Sequence, residues 1–293
     1  MKKIFSIVCH KLTNPLIFTV NYLRSFEDNI ILVHVDAKTN IDDFKFLASD
    51  NVIFITERVS VEWGRVSQIY ATLNLMNEST RFDYDYFFLI SGDDIPIMRN
   101  KSINEFLKDN SQYDFIHFQD FRNTYVDPCS RIKYRYPDYF FEREMGLKNR
   151  ILRKSFKFIK DIFYLNKDFI EYKKKGLVFY KGTNWFTLRR ENIDFIMKFI
   201  ESDLQFLNMF KGSLCADEVF FHTILKLNKK INIYNDDEAI NNALRYIDWS
   251  SGPEFPKILN EKDYNKITSS NSMFARKFPS DLSYELFLSI INR

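Results

Sequence analysis

Two adjacent acidic residues, Asp93 and Asp94, end the apolar stretch "YDYFFLISGDDIPI" at residues 84–97. Carboxylate oxygens are ligands that Mg²⁺ and Mn²⁺ prefer beside a substrate phosphate, so the pair could bind a divalent metal. Adjacent side chains of an extended chain point in opposite directions, however, and the stronger metal signal, Asp-x-Asp, is absent here. The ordinary alternative is a turn that Asp94 caps while Asp93 bonds to local backbone. From spacing alone, a metal, a sugar and a turn all remain open.

A second acidic pair, Asp217 and Glu218, stands at the predicted start of a helix. The helix dipole favours a carboxylate there whether or not it has a function. If Glu218 faces a cleft that also holds Trp185 or Trp249, it becomes a candidate general base. His222 shares the helical face of Glu218, but two ligands without a third are a weak metal signal.

The usual backbone motifs for phosphate binding are missing from the chain. It has neither a GxGxxG motif nor a Walker loop, and only 7 glycines in all. A ligand that carries phosphate would therefore need cationic side chains to hold it. Lys257, Arg276 and Lys277 in the C-terminal segment could supply them, although "FARKF" alone is also typical of a basic surface pair.

Composition indicates an ordinary globular protein. The 293 residues suffice for one large α/β domain or two small ones, and 45% are apolar. A net charge of +3 is too small to indicate nucleic-acid binding. The three cysteines, Cys9, Cys129 and Cys215, lie far apart without a Cys-x-x-Cys spacing, which predicts no disulfide or structural zinc and favours the cytoplasm. No stretch resembles a signal peptide or a membrane span.

The first hundred residues alternate between strands and helices. Buried strands are predicted at 3–10, 29–37, 51–59 and 84–94, with helices at 15–26 and 65–79. Strands that are apolar on both faces and joined by helices predict a mostly parallel sheet with helices on each side. Ligands bind beyond the carboxyl ends of such strands, where Asp36 and Asp93–Asp94 fall.

A basic amphipathic segment occupies residues 143–175, with eleven Lys or Arg against four acidic residues. The ordinary interpretation is a solvated charged face whose apolar side packs on the core. The alternative is a membrane-surface segment, because basic faces are drawn to anionic lipid.

The last third is predicted to start with a strand within 176–191, followed by a helix from Asn192 to about Phe206. A second helix begins near Asp217, and a short strand, "ALRYIDW", precedes a loop with Gly252 and two prolines. No linker or repeat is evident, so the chain is predicted to form one domain.

Eight blocks in order resemble the core-2/I-branching β-1,6-N-acetylglucosaminyltransferases and their peptide-xylosyltransferase relatives (glycosyltransferase family 14), in a compact bacterial form. The blocks are "SIVCHK", "ILVHVDAK", "VSVEWGRVSQIYATLNLM", "FFLISGDDIPI", "KGTNWFTLRRE", "CADEVFFHTIL", "LRYIDWSSG" and "MFARKF". The resemblance implies an α/β fold of the glycosyltransferase-A type, with a Rossmann-like sheet and a helical insertion. It divides the domain into a nucleotide-sugar-binding half (1–125), the basic helical insertion (126–180) and an acceptor and catalytic half (181–293).

The resemblance also implies roles for individual residues. Glu218 matches the catalytic base, and Asp93 and Asp94 would hold sugar hydroxyls at the donor–acceptor junction rather than an ion. Trp185 and Trp249 would lie on the acceptor side. The residues assigned to the UDP donor are Val8, Asp36, Arg65, Lys277, Lys257 as the second diphosphate-binding cation, and Arg245 as the fallback for Lys257.

The implied activity is metal-independent, inverting transfer of a sugar, with UDP-GlcNAc as the favoured donor and a saccharide or lipid-linked saccharide of a bacterial glycan as the acceptor. No cofactor and no nucleic-acid partner are expected, and the enzyme is expected in the cytoplasm or on the inner face of the membrane. The alternatives are a donor such as UDP-xylose, UDP-glucose or UDP-galactose, a metal-dependent transferase using Asp93, Asp94 and Asp36, and a non-catalytic saccharide-binding protein with stacking tryptophans.

Overall fold

The computed structural model describes residues 1–142, 146–251 and 255–292. Within these residues eight strands form: β1 (Lys3–Cys9), β2 (Asn29–Val35), β3 (Val52–Phe54), β4 (Tyr86–Ser91), β5 (Ile95–Pro96), β6 (Thr187–Arg189), β7 (Arg245–Ile247) and β8 (Phe274–Arg276). The α-helices are α1 (Asn14–Arg24), α2 (Ser67–Ser79), α3 (Asn100–Asp109), α4 (Pro128–Ile132), α5 (Leu147–Phe163), α6 (Lys167–Lys174), α7 (Arg190–Ser202), α8 (Leu204–Met209), α9 (Asp217–Leu227), α10 (Tyr264–Thr268) and α11 (Tyr284–Ile291).

The main sheet has five strands in the order β3-β2-β1-β4-β6. Strands β1 to β4 are parallel, and β6 runs antiparallel to β4 at the edge. Val8 pairs with His34 of β2 and Ser91 of β4, so the carboxyl ends of the three central strands meet at one edge. The predicted α/β class and mostly parallel sheet are confirmed.

Helices cover both faces of this sheet because successive strand side chains point to opposite sides. Ile4 and Phe87 face a core that includes residues of α2, α7 and α9. Phe5 and Phe88 face a second core, together with residues of α1 and α3. The prediction of helices on each side is therefore confirmed.

A second, three-stranded sheet in the order β5-β8-β7 continues from the end of β4. It has its own small apolar core with α10 and α11. Residues 92–94 connect β4 to β5, so the "GDD" turn lies at the junction between the two sheets. This junction positions the candidate site.

Several predicted elements differ from those observed. Of residues 176–191 only 187–189 form a strand before α7 begins, because the preceding backbone bonds elsewhere: Tyr180 N–H donates to Thr223 Oγ1, and Gly182 N–H to the Glu218 carbonyl. The helix predicted from Asn192 is divided at Asp203, whose carboxylate accepts the Phe206 N–H at 3.0 Å. Helix α3 was not predicted.

The basic segment forms α5 and α6, while residues 143–145 lie outside the described residues, as do 252–254 with Gly252. The ordinary interpretation of its apolar side is wrong for α5, in which only Phe156 is buried. Within the described part of the chain, no helix has the length and apolarity needed to cross a membrane. The division of the domain at residues 125 and 180 stays a prediction.

Candidate active site

Asp94 is the buried anchor of the turn at the end of β4. Its carboxylate accepts hydrogen bonds from the Ser91 N–H at 3.0 Å and the Ser91 hydroxyl at 2.5 Å. Arg276 Nε lies 3.1 Å from Asp94 Oδ1. Burial raises the pKa of Asp94, while Arg276 and Ser91 oppose that shift. Asp94 therefore ties the end of β4 to β8.

Asp93 contacts a different cation. Its Oδ2 lies 3.1 Å from Lys277 Nζ, and its carbonyl accepts the Phe278 N–H at 3.1 Å. The two neighbouring acids thus pair separately with two neighbouring cations, Arg276 and Lys277. Among the described residues no cluster of three His, Cys, Asp or Glu side chains could hold a metal ion.

Arg276 also brings an aromatic side chain to this junction. Its guanidinium carbon lies 4.5 Å from the centre of the Trp185 ring, a cation–π distance. Trp185 is only partly buried. Trp249, the second predicted acceptor residue, is 52% exposed in the loop after β7.

A small cleft opens where β1 and β4 end. It is lined by Val8, Cys9, His10, Lys11, Ser91, Gly92 and Asp93. The cleft depends on a close approach of the two strands, because a Cβ at Gly92 would lie 2.8 Å from Cys9 Cβ. Val8 and Asp93, two of the predicted site residues, are thus brought together.

Asp36 follows β2 at the same edge of the sheet. Its carboxylate accepts the Lys38 N–H at 2.9 Å and the Val61 N–H at 3.3 Å, and Lys38 Nζ lies 3.0 Å away. Arg65 forms ion pairs with Glu62 and, at 2.7 Å, with Asp138. Asp36 is therefore held rigidly, while the charge of Arg65 is already shared with two acids.

Glu218 lies in the first turn of α9 with two cations beside it. Lys181 Nζ is 3.0 Å and Arg131 Nη2 is 3.5 Å from the same oxygen, Oε2. Neither cation was predicted. Lys181 begins the block "KGTNWF" next to a glycine, a signal that could have found it, whereas nothing in the local sequence around Arg131 marks it.

Gly182 fixes the backbone beside Glu218. Its N–H donates to the Glu218 carbonyl at 2.9 Å, and a Cβ at this position would lie 1.9 Å from the His117 carbonyl oxygen. His222 Nε2 donates to the same His117 carbonyl at 3.1 Å, and burial lowers the pKa of His222 to about 3. His222 is therefore a neutral packing residue rather than a ligand placed beside Glu218.

Residues 181–185 connect the Glu218 cluster to the Asp93–Asp94 turn. Lys181 contacts Glu218 at one end, and Trp185 stacks on Arg276 at the other. Four residues of fully extended chain span at most roughly 14 Å, which limits the separation of the two ends of this segment. The same short segment therefore contacts the candidate base at one end and, through Arg276, the acidic turn at the other.

Two predicted diphosphate-binding cations are engaged within the protein. The fully buried Arg245 donates to the carbonyls of Ala243 at 2.8 Å and Phe186 at 3.1 Å and to Thr187 Oγ1 at 2.9 Å. Burial lowers the pKa of Arg245 to about 10, and in this position its guanidinium cannot reach a ligand in solvent. The Lys257 ammonium is paired with the buried carboxylate of Asp263.

Comparisons with known proteins agree over most of the chain. A protein-family model described as "Core-2/I-Branching enzyme" matches residues 4–271. Xylosyltransferase 1 of Rattus norvegicus is 24% identical over 289 residues, which cover 89% of this chain and 31% of that protein. Xylosyltransferase 2 of the same organism is 23% identical over 282 residues, covering 89% of this chain and 30% of its own length. The chain thus spans about a third of these relatives.

Among solved structures, the crystal structure of S. aureus TarS 1-349 aligns with a TM-score of 0.25 and 14% sequence identity. That alignment covers 49% of this chain and 43% of the TarS chain.

Gly182→Ala is expected to destabilise the protein by about 3 kcal/mol, because the added methyl overpacks the contact with His117 and His222. Gly146→Ala is the matched control, since a Cβ there meets nothing within 4 Å. Urea unfolding measures both free energies. A Gly182→Ala protein as stable as the control would show that this backbone approach is looser than described.

Asp217 is expected to make the free energy of unfolding depend on pH. Burial, and then the charge of Glu218, raise the pKa of Asp217 from 3.8 to about 7. The folded state therefore retains a proton that the unfolded state releases, so this stabilising contribution is complete below about pH 4 and is lost as pH rises to about 7.

Asp217→Asn keeps the shape and removes the charge. The variant is expected to be more stable than the wild type at pH 8 by on the order of 2–4 kcal/mol, with the difference vanishing near pH 4. Urea unfolding across this range measures it, and subtracting the two curves cancels the titrating groups that do not interact with Asp217. A difference that does not change with pH would contradict the assignment.

Proposed function

Since this chain belongs to the Core-2/I-branching enzyme family, we propose that it is a glycosyltransferase that uses a UDP-sugar donor. The reaction transfers the sugar to a saccharide hydroxyl with inversion at the anomeric carbon. A bacterial glycan, free or lipid-linked, supplies the acceptor on the cytoplasmic side. Residues 1–125 form the nucleotide-sugar-binding half and 181–293 the acceptor and catalytic half, from which Lys257 and Lys277 reach the donor diphosphate.

The geometry of Glu218 carries the proposal. Both of its neighbouring cations contact Oε2, and within the described residues no hydrogen bond is made to Oε1. A carboxylate fixed through one oxygen presents the other in a defined direction, as a general base requires. Glu218 Oε1 removes the proton from the acceptor hydroxyl while the acceptor oxygen bonds to the anomeric carbon, and UDP leaves from the opposite face.

Side chains rather than a metal ion neutralise the UDP leaving group in this proposal. Lys277 is 41% exposed beside the cleft, and Asp93 is the partner that the diphosphate would replace. Lys257 would likewise exchange its partner Asp263 for the diphosphate. The buried Arg245 does not bind the diphosphate. Cations placed where negative charge develops are often the largest contribution to catalysis.

The two acids of the turn have different roles, a structural one for Asp94 and a sugar-binding one for Asp93. Asp94 is fully engaged by Ser91 and Arg276, so it holds the turn in place. Asp93 lines the cleft and can accept a hydrogen bond from a sugar hydroxyl. Trp185 and Trp249 serve the acceptor, while Val8, Asp36 and Arg65 serve the donor.

UDP-GlcNAc is our favoured donor. UDP-xylose is the main alternative, because the curated relatives are named xylosyltransferases. UDP-glucose and UDP-galactose fit the same chemistry. A metal-dependent transferase would need Asp93, Asp94 and Asp36 to converge on one ion, whereas Asp93 and Asp94 face different cations.

Glu218→Gln is expected to lower the transfer rate on the order of 10²–10⁴-fold, because the amide cannot accept the proton. Affinity for UDP should survive, since the variant leaves the donor cations in place. Rates come from UDP release and affinities from calorimetry. Loss of UDP binding in this variant would assign Glu218 to the donor instead.

Lys277→Ala is expected to raise the Kd for UDP by about 10–100-fold, the effect of losing a charge-assisted hydrogen bond of about 1.5–3 kcal/mol. Lys229→Ala, an exposed lysine after α9, is the matched control and should leave the Kd unchanged. Equal affinities for the two variants would exclude Lys277 from the diphosphate site.

A panel of UDP-sugars, each tested with and without EDTA, tests the whole proposal. Turnover of one donor that ignores the chelator is the expected result. Turnover that stops with EDTA would show that the reaction needs a metal ion and would favour Asp93 and Asp94 as its ligands. If no donor turns over, calorimetry with UDP separates a transferase that lacks its acceptor, which binds UDP, from a saccharide-binding protein, which does not.

A further inference from the structure

The inner face of helix α5 is anchored by one aromatic side chain. Phe156 is the only residue of the helix that is buried. Its ring centre lies 4.7 Å from that of Phe140, 5.1 Å from Tyr164, 5.5 Å from Tyr136 and 6.0 Å from Tyr134. Such aromatic contacts bury a large apolar area with defined geometry, so α5 is fixed against the body of the protein at Phe156.

A second contact fixes the direction in which the helix faces. The Arg153 guanidinium donates to the carbonyls of Tyr139 at 3.0 Å and Phe140 at 3.1 Å. Arg153 lies three residues before Phe156, on the same side of the helix. With this side held by Phe156 and Arg153, the opposite side of α5 must face away from the core.

That opposite side carries an exposed apolar stripe, made of Leu147, Ile151, Phe158 and Ile162. The exposed fractions of these side chains are 76%, 59%, 84% and 74%. Their spacings of four, seven and four residues keep them within roughly 60° of one another around the helix, at about 100° per residue. An exposed apolar stripe of this size indicates a surface that another molecule covers.

Positive charge flanks the stripe. Four exposed basic residues of α5, Lys148, Arg150, Lys154 and Lys157, lie around it, and Asp161 is the only acidic residue of the helix. A second copy of the chain would bring two such positive surfaces together. An anionic lipid surface instead offers negative headgroups to the lysines and acyl chains to the stripe.

We propose that α5 docks the protein on an anionic lipid bilayer, lying in the plane of the interface with the stripe towards the acyl chains. The 17 residues of α5 extend along roughly 26 Å of that surface. The basic residues remain at the level of the headgroups, where each Lys or Arg adds to binding. This inference stands on α5 alone and does not depend on the proposed transferase activity.

Vesicle flotation of the full chain tests the proposal. The vesicles are phosphatidylcholine alone, or phosphatidylcholine mixed two to one with phosphatidylglycerol. The wild type should float with the anionic vesicles and not with the neutral ones, and high salt should reduce the binding because it screens the headgroups.

Two double variants separate the contributions of the stripe and the charges. Phe158→Glu with Ile162→Glu, and Lys154→Glu with Lys157→Glu, should each lower partitioning to anionic vesicles at least about tenfold. The matched controls are Phe46→Glu, an exposed phenylalanine elsewhere, and Lys229→Glu with Lys230→Glu after α9; neither should change partitioning. All these positions are exposed, and circular dichroism confirms that the variants fold.

Equal binding to neutral and anionic vesicles, or no effect of the α5 variants, would overturn the proposal. So would a wild type that forms dimers in solution which Phe158→Glu with Ile162→Glu dissolves, because a second copy would then cover the stripe.

Discussion

The buried carboxylate of Asp94, at the end of β4, meets the guanidinium of Arg276, at the end of β8, and their ion pair joins the two sheets. An unpaired carboxylate at this depth would cost several kcal/mol of stability, so the two ends must stay in contact. Arg276 in turn makes a cation–π contact with Trp185. Trp185 ends the segment 181–185, whose first residue, Lys181, contacts Glu218. This pairing therefore fixes the acidic turn against β8 and sets Arg276 against the Trp185 ring, whereas Glu218 is positioned by α9 and by its contact with Gly182.

Pairing each acid with its own cation also explains why an acidic pair in this position need not bind a metal. Asp94 is satisfied inside the protein, whereas Asp93 and Lys277 form a partly exposed pair at the cleft. Exposed ion pairs contribute little stability, so this second pair can open for a ligand at small cost. The same turn therefore combines a buried, fully paired acid with a partly exposed ion pair.

The central strands could be predicted because buried parallel strands have a clear apolar pattern. The edge at which Asp36 and Asp93 lie could be predicted because polar residues follow each strand there. The helix start near Asp217 was also predicted correctly, while the catalytic role of Glu218 stays a prediction. Lys181 and Arg131 were missed because both reach Glu218 through contacts between residues distant in sequence. Arg245 was assigned to a ligand because sequence shows a charge but not its burial. The amphipathic character of α5 was predicted, but whether its apolar side packs on the core or faces outward stayed open, because periodicity identifies an apolar face without showing what covers it.

The residues that attach helix α5 to the protein, Phe156 and Arg153, are not part of its exposed outer face. Substitutions at distant positions without common partners change stability additively, so the outer residues can vary without disturbing the contacts of Phe156 and Arg153. Different residues of α5 therefore attach the helix to the protein and form its exposed surface. Redirecting the protein to another surface, by evolution or by engineering, would require rewriting one side of a single helix and no part of the catalytic framework.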